Sequence, residues 1–304
     1  MNKLAYSLLA SWLLSSSAFA VELGFSGMTQ MQADRYLVVQ DKKVFQAGER
    51  LGIFQLNSAG EQQYTPIVIN DWRDSDGQSS DLESVCKLPG TQAQYLLAES
   101  GYWDGKFGRI FRVQLQDNHA EVLQVYHLPK LIPSGEHTKG DNFEGMLCTQ
   151  VGDDTLVIIG ERGGSKAYRH GVLRVGVLQA DNIDWQRYAE QSYQVKVPKA
   201  WRPAKYRSIS DLYLDEQGII WAAATQDGGD NGPFRSLVYA AAKLAQTSHS
   251  ALFTEPKKQP QWQIEGLKVE ALAAPNPHIA HSIMSIGSED EHYGGVWRPL
   301  FAQE

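Results

Sequence analysis

Short apolar runs separated by polar turns recur along the whole chain, and they come in pairs. The first members are Tyr36-Leu37-Val38-Val39, Tyr95-Leu96-Leu97-Ala98, Leu156-Val157-Ile158-Ile159, Ile219-Ile220-Trp221-Ala222 and Ile283-Met284-Ser285-Ile286. The second members are Leu51-Gly52-Ile53-Phe54, Gly108-Arg109-Ile110-Phe111, Gly171-Val172-Leu173-Arg174, Ser236-Leu237-Val238-Tyr239 and Gly294-Gly295-Val296-Trp297. Runs this short, rich in β-branched and aromatic residues and punctuated by Gly, Pro, Asn and Asp, predict strands. No stretch keeps a helical period. The pairs return at intervals of roughly sixty residues, and a period of that size signals a repeat architecture.

Each pair follows a third short motif. Its five copies are Phe25-Ser26-Gly27-Met28, Asp81-Leu82-Glu83-Ser84-Val85, Asn142-Phe143-Glu144-Gly145-Met146, Ser210-Asp211-Leu212 and Val269-Glu270-Ala271-Leu272. One full unit reads as four strands, near residues 84–87, 94–99, 109–115 and 121–126. The expectation is an all-β chain: a β-propeller of five four-stranded blades, with room for an irregular sixth in the 164–207 interval. No residues follow Leu300 that suffice for a fourth strand in the last copy. The strand-like segment at residues 21–25 is therefore expected to complete that blade and close the ring, leaving no exposed edge.

Residues 1–20 change the picture of where the protein works. Lys3, the apolar run through Leu8-Leu9-Ala10 and Trp12-Leu13-Leu14, and Ala18-Phe19-Ala20 read as a cleaved secretory signal. The run is too short to span a bilayer. Residues 21–304 are then one propeller domain, periplasmic or secreted, expected to be a monomer. The formal net charge of −7 offers no electrostatic footprint for nucleic acid. Cys86 and Cys148 are the two cysteines of the chain. Their offsets from the preceding glutamate differ by one residue, which on a strand turns one of them to the other face. Two buried free thiols are the plainer expectation, and a bridge is the alternative.

The third motif carries the candidate chemistry. Glu83, Glu144, Asp211 and Glu270 occupy one repeated position, where the first copy has Ser26. A second set follows the next strand: Glu99, Glu161 and Glu289, with Gln40 or Asp41 and Gln226 or Asp227 near the matching slots. Equivalent positions of successive blades point at one axis, so these carboxylates are expected to converge on one channel mouth. Crowded carboxylates need shifted pKa values or a cation, and calcium, with its many oxygen ligands, suits such a ring. The alternative is that the acids cap strand ends. Asp74, Asp76, Gly77 and Glu83 match positions of a calcium-binding helix–loop–helix, but Trp72 stands where the first ligand belongs and no helices flank the loop.

The stretch Asp141-Asn142-Phe143-Glu144-Gly145-Met146, followed by a strand ending in Gly160-Glu161, resembles the phytase-like esterase propellers. Asp81-Leu82-Glu83 through Leu97-Ala98-Glu99 is similar to the related exported bacterial propellers known as SdiA-regulated proteins. The resemblance implies a calcium-dependent propeller and, in some members, hydrolysis of phosphate or carboxyl esters. This chain departs from the pattern at Ser26 and Asp211.

A hydrolase of this kind needs cations for the ester's anionic oxygens, and Arg162, Lys139, Lys205 and Arg207 lie beside the acidic motifs. Glu144 and Arg162 are the candidate catalytic groups. His137 is the one histidine placed to serve as a general base near a motif, the alternative being a solvent-exposed loop residue. His278 and His281 form a weak metal-ligand spacing. No Gly-x-Ser-x-Gly elbow and no phosphate-binding glycine loop occur. The rival expectation is a non-catalytic propeller that binds a protein or glycan through loop aromatics such as Trp72, Tyr102, Trp103, Trp201 and Tyr206.

Overall fold

The computed structural model describes residues 23–303, apart from 104–105, 131–141, 165–168, 202, 204, 227, 230, 246–251 and 258. Among the described residues five antiparallel blade sheets follow one another along the chain, each running from an inner strand outward, and a two-stranded ribbon, Tyr102–Trp103 with Lys106–Phe107, projects from the second. Blade 1 comprises Gly27–Gln32, Arg35–Val39, Leu51–Leu56 and Gln62–Pro66. Blade 2 comprises Leu82–Lys87, Gln94–Glu99, Arg109–Gln116 and His119–His127. Blade 3 has Phe143–Val151, Asp154–Glu161 and Val172–Leu178, with Ile183–Asp184 and Tyr193–Gln194 both pairing with the third strand. Blade 4 repeats that plan with Tyr206–Leu214, Ile219–Gln226, Arg235–Leu244, and the outer pieces Phe253–Thr254 and Trp262–Glu265. Blade 5 has Val269–Ala273, Ser282–Ser288 and Trp297–Phe301. The 164–207 interval thus finishes blade 3 and holds no sixth blade among its described residues.

The inner strands touch in the order 1–2–3–4–5 and back to 1, so the fold is a closed five-bladed propeller. Among the described residues blade 5 has three strands and residues 23–25 form none, so the segment does not supply the expected fourth strand but links blade 5 to blade 1. The Phe25 N–H donates to the Ser288 carbonyl at 3.1 Å, and the Phe25 ring lies over Gly287. From there the chain passes directly into the inner strand of blade 1. Residues 21 and 22 of the segment expected to close the ring lie outside the described residues.

Five apolar clusters fill the five joints between blades. Alternate side chains of one strand serve opposite joints: Tyr95 and Leu97 face blade 1, whereas Leu96 and Ala98 face blade 3. Leu156 and Ile158 likewise face blade 4, and Val157 and Ile159 face blade 2. A strand covered on both faces reads as a continuous apolar run, which is why the second strands stand out so clearly in the sequence. Burying each of these side chains stabilises the ring by roughly 1.5–3 kcal/mol. The inner strands approach so closely that a Cβ on Gly145 would lie 2.9 Å from the Leu212 backbone nitrogen, and one on Gly27 would lie 2.7 Å from the Glu83 carbonyl oxygen.

Cys86 and Cys148 are bridged, with Cα atoms 5.5 Å apart, which corrects the expectation of free thiols. Neighbouring blades meet with opposite faces. Residues at identical offsets would point the same way around the ring, and a one-residue difference turns the two sulfurs toward each other. The bridge covalently joins the inner strands of blades 2 and 3.

Candidate functional site at the axial mouth

The repeated glutamates are the extra residues of β-bulges. Leu82 pairs with Glu99 and Ser84 with Ala98, leaving Glu83 unpaired between them. Phe143 and Gly145 pair with Glu161 and Gly160 around Glu144, and Val269 and Ala271 pair with Ser288 and Gly287 around Glu270. In blade 4 the register also shifts between Arg207 and Asp211. A bulge re-aims one side chain off the pleat, and here it turns each carboxylate toward the axis. Ser26, the non-acidic copy, accepts the Asp41 N–H at 3.1 Å, and Asp41 becomes the carboxylate that blade 1 contributes.

The mouth has two unlike halves. On blades 3 to 5 the charges alternate. Arg162 Nη1 lies 3.1 Å from Glu144, and Arg207 Nη1 lies 3.5 Å from Glu144 and 3.4 Å from Glu270. Lys268 Nζ continues the series at 3.1 Å from Glu270, 2.9 Å from Glu289 and 2.5 Å from Glu291. On blades 1 and 2, Asp41, Asp81 and Glu83 bring carboxylate oxygens within 4.8 Å of one another. Lys43 pairs with Asp81, which also accepts the Ser100 hydroxyl at 2.5 Å. Asp81 holds a left-handed backbone, φ 67°, a strained conformation of the kind that collects at functional sites.

Burial and like charge raise the acids. Glu83 lies well above the usual carboxylate range because it is desolvated and surrounded by Glu144, Asp81, Asp41 and Glu270. Burial pushes Glu270 up to about 8 against the pull of Lys268 and Arg207. Asp41 is raised by burial and by Asp81, and Glu289 by burial against the pull of Lys268. Asp211 is also raised by burial, although it accepts the Leu272 N–H at 2.6 Å. That bond ties blade 4 to blade 5.

Glu99 and Glu161 are engaged one strand further out. Glu99 accepts the Ser80 N–H at 2.8 Å and pairs with the buried Arg109 at 2.6 Å; burial raises its pKa against that pairing. Arg109 also binds Asp74 at 2.9 Å and the carbonyls of Gly77 and Gln78, so it pins the 71–78 loop to blade 2. Glu161 pairs with Arg174 at 3.1 Å. His137 and Lys139 lie outside the described residues, and Lys205 is exposed. His278 sits 3.7 Å from Asp34, in the turn leaving the inner strand of blade 1, at the opposite end of the ring. Trp201 is buried against Tyr206, and Trp72 packs edge-on to Phe111 at 4.9 Å. These aromatics build joints.

Fold and mouth define a five-bladed β-propeller whose axis opens on buried carboxylates interleaved with arginine and lysine. No family model matches the chain, and no curated protein sequence matches it. Among solved structures it is similar to a GH43 β-1,3-galactosidase, with 10% identity over 92% of this chain and 91% of that one, TM-score 0.48. It is also similar to the GH32 β-fructofuranosidase of Bombyx mori, with 11% identity over 92% of this chain and 61% of that one, TM-score 0.49. A third is the propeller of Dos1, with 12% identity over 88% and 68%, TM-score 0.36.

Proposed function

We propose that the protein is an exported ester hydrolase working at the axial mouth, with a calcium ion held by Asp41, Asp81 and Glu83. The observation that carries this reading is the setting of Glu83: its strongest charged neighbours are all carboxylates, and two arginines stand behind Glu144 next to it. Three oxygen ligands within 4.8 Å fit a hard, flexible cation better than one that demands strict geometry. Calcium bound there supplies positive charge against the charge that develops on an ester oxygen.

The chain's own groups do the rest. Glu144 holds Arg162 and Arg207 at the mouth, where their positive charge offsets the charge that develops in the transition state. Glu270, pushed up to about 8 by burial, holds a proton near neutral pH. A carboxylic acid raised in this way can protonate the leaving alkoxide and recover a proton from the attacking water, so that ester and water become acid and alcohol. The bridged cysteines fit an oxidising compartment outside the cytoplasm. The test is a panel of phosphate and carboxyl esters with calcium and with chelator. Chelator-sensitive turnover lost in Glu83→Gln is expected. Turnover indifferent to both calcium and Glu83→Gln overturns the reading.

A further inference from the structure

Two loops that rise around the mouth each hold one large aromatic ring in water. Phe45 is 84% exposed and Tyr293 is 70% exposed. They occupy equivalent places, the connections between the second and third strands of the neighbouring blades 1 and 5. Neither loop is slack. The buried Arg50 donates to the carbonyls of Ser79 at 3.0 Å, Gly48 at 3.1 Å, Lys43 at 2.8 Å and Gln46 at 2.9 Å. The Val44 N–H reaches Ser80 Oγ at 3.1 Å. On blade 5 the buried Asp290 accepts the Lys268 N–H at 2.7 Å and the Ser288 hydroxyl at 2.6 Å, and its carbonyl accepts the Tyr293 N–H at 2.9 Å. The Phe234 ring braces Tyr293 edge-on at 6.3 Å.

Each ring is thus presented by a buried charged side chain that fastens its loop, and fixing a contact group in advance lowers the entropic cost of binding. The feet of the same loops carry Asp41 and Lys43 on one side, and Glu289 and Glu291 on the other. We infer that Phe45 and Tyr293 form a stacking platform for the carbohydrate part of the ester, an inference that rests on the hydrolase reading of the mouth. A pyranose or furanose offers an apolar C–H face to an aromatic ring. Its hydroxyls donate to carboxylates and accept from lysine and arginine, which suits a mouth richer in acceptors than in cations. A polyanion meets the same carboxylates as repulsion.

The experiment is calorimetric titration of the full chain, with calcium, against neutral pentose and hexose oligosaccharides and against tetramethylammonium. A saccharide is expected to bind, Phe45→Ala and Tyr293→Ala each to weaken it by about tenfold, and Tyr293→Phe to retain it. Circular dichroism checks that the variants keep the fold. The inference is overturned if no saccharide binds, if binding survives both alanine variants, or if the rings matter for tetramethylammonium alone. Saccharide binding that needs both rings, in a protein that cleaves no ester, upholds the platform and sinks the hydrolase reading.

Discussion

Arg207, on the inner strand of blade 4, reaches Glu144 of blade 3 and Glu270 of blade 5 with a single nitrogen, at 3.5 and 3.4 Å. One guanidinium therefore bridges two bulged carboxylates that belong to blades on either side of its own. Removing it leaves both buried acids with less compensation. Taking one member from a buried charge cluster costs about 3 kcal/mol, the lower end for such groups because Arg207 keeps some contact with solvent. Arg207→Gln is expected to lower the urea midpoint by a corresponding amount, and equilibrium unfolding at neutral pH checks it. An unchanged midpoint shows that the cluster contributes nothing net.

The raised carboxylates set a pH dependence whose sign is fixed. Glu270 binds its proton more tightly folded, near 8, than the ordinary 4.5. A group that holds more protons in the native state makes stability fall as pH rises. Stability of the calcium-free protein should decline between about pH 4.5 and 8 and level off above. Glu270→Gln should flatten that slope, measured as melting temperature against pH in chelator. A slope that is equally steep in the variant points to other groups.

Calcium should oppose the same effect. A ligand that binds only the folded state stabilises by about 2.7 kcal/mol at a hundredfold excess over its Kd. The melting temperature should rise with calcium and fall with chelator, and Glu83→Gln or Asp41→Asn should blunt the response. No calcium response in the wild type removes the metal from the mouth.

The covalent tie between blades 2 and 3 closes a loop of 62 residues, and loop-closure entropy assigns such a tie about 4 kcal/mol. Reduction, or Cys86→Ser with Cys148→Ser, should lower stability by up to that amount while the propeller still folds. Far-ultraviolet dichroism and denaturant unfolding report the two parts separately.

Arg162→Ala tests the chemistry. The guanidinium is partly exposed and paired with one carboxylate, so the fold should survive while kcat falls by about a hundredfold, as on losing one preorganised donor. Ester turnover unaffected by this change moves the anion-holding role elsewhere.

Blade order and number were readable because strands such as Gln94–Glu99 and Asp154–Glu161 are covered on both faces, so their apolar runs repeat without interruption. The convergence of Glu83, Glu144 and Glu270 was readable from their common place in the repeat. That each is a bulge was not, because an extra residue leaves no mark in a hydrophobic pattern only a few residues long. Glu99 and Glu161 share the spacing of a second acidic ring, yet their partners Arg109 and Arg174 come from the adjacent third strand, a pairing fixed by register. The cysteine bridge escaped because facing blades invert the parity that holds within one sheet. Nothing in the hydrophobic pattern marks Phe45, since its exposure depends on Arg50 fastening the turn beneath it.

The joint between blades 5 and 1 differs from its four counterparts: it brings the first blade along the chain against the last. Phe25, Phe54, Tyr36 and Trp297 fill it, and the Tyr36 hydroxyl meets Ser285 Oγ across it at 3.0 Å. Among the described residues, only the short segment 23–26, bonded through the Phe25 N–H to Ser288, crosses it, and the disulfide lies between blades 2 and 3. It is the clasp of the necklace, the place where the circle parts with the least unravelling. Asp41 stands on one side of that clasp and Glu289 on the other, so a molecule gripped by both also fastens the circle shut.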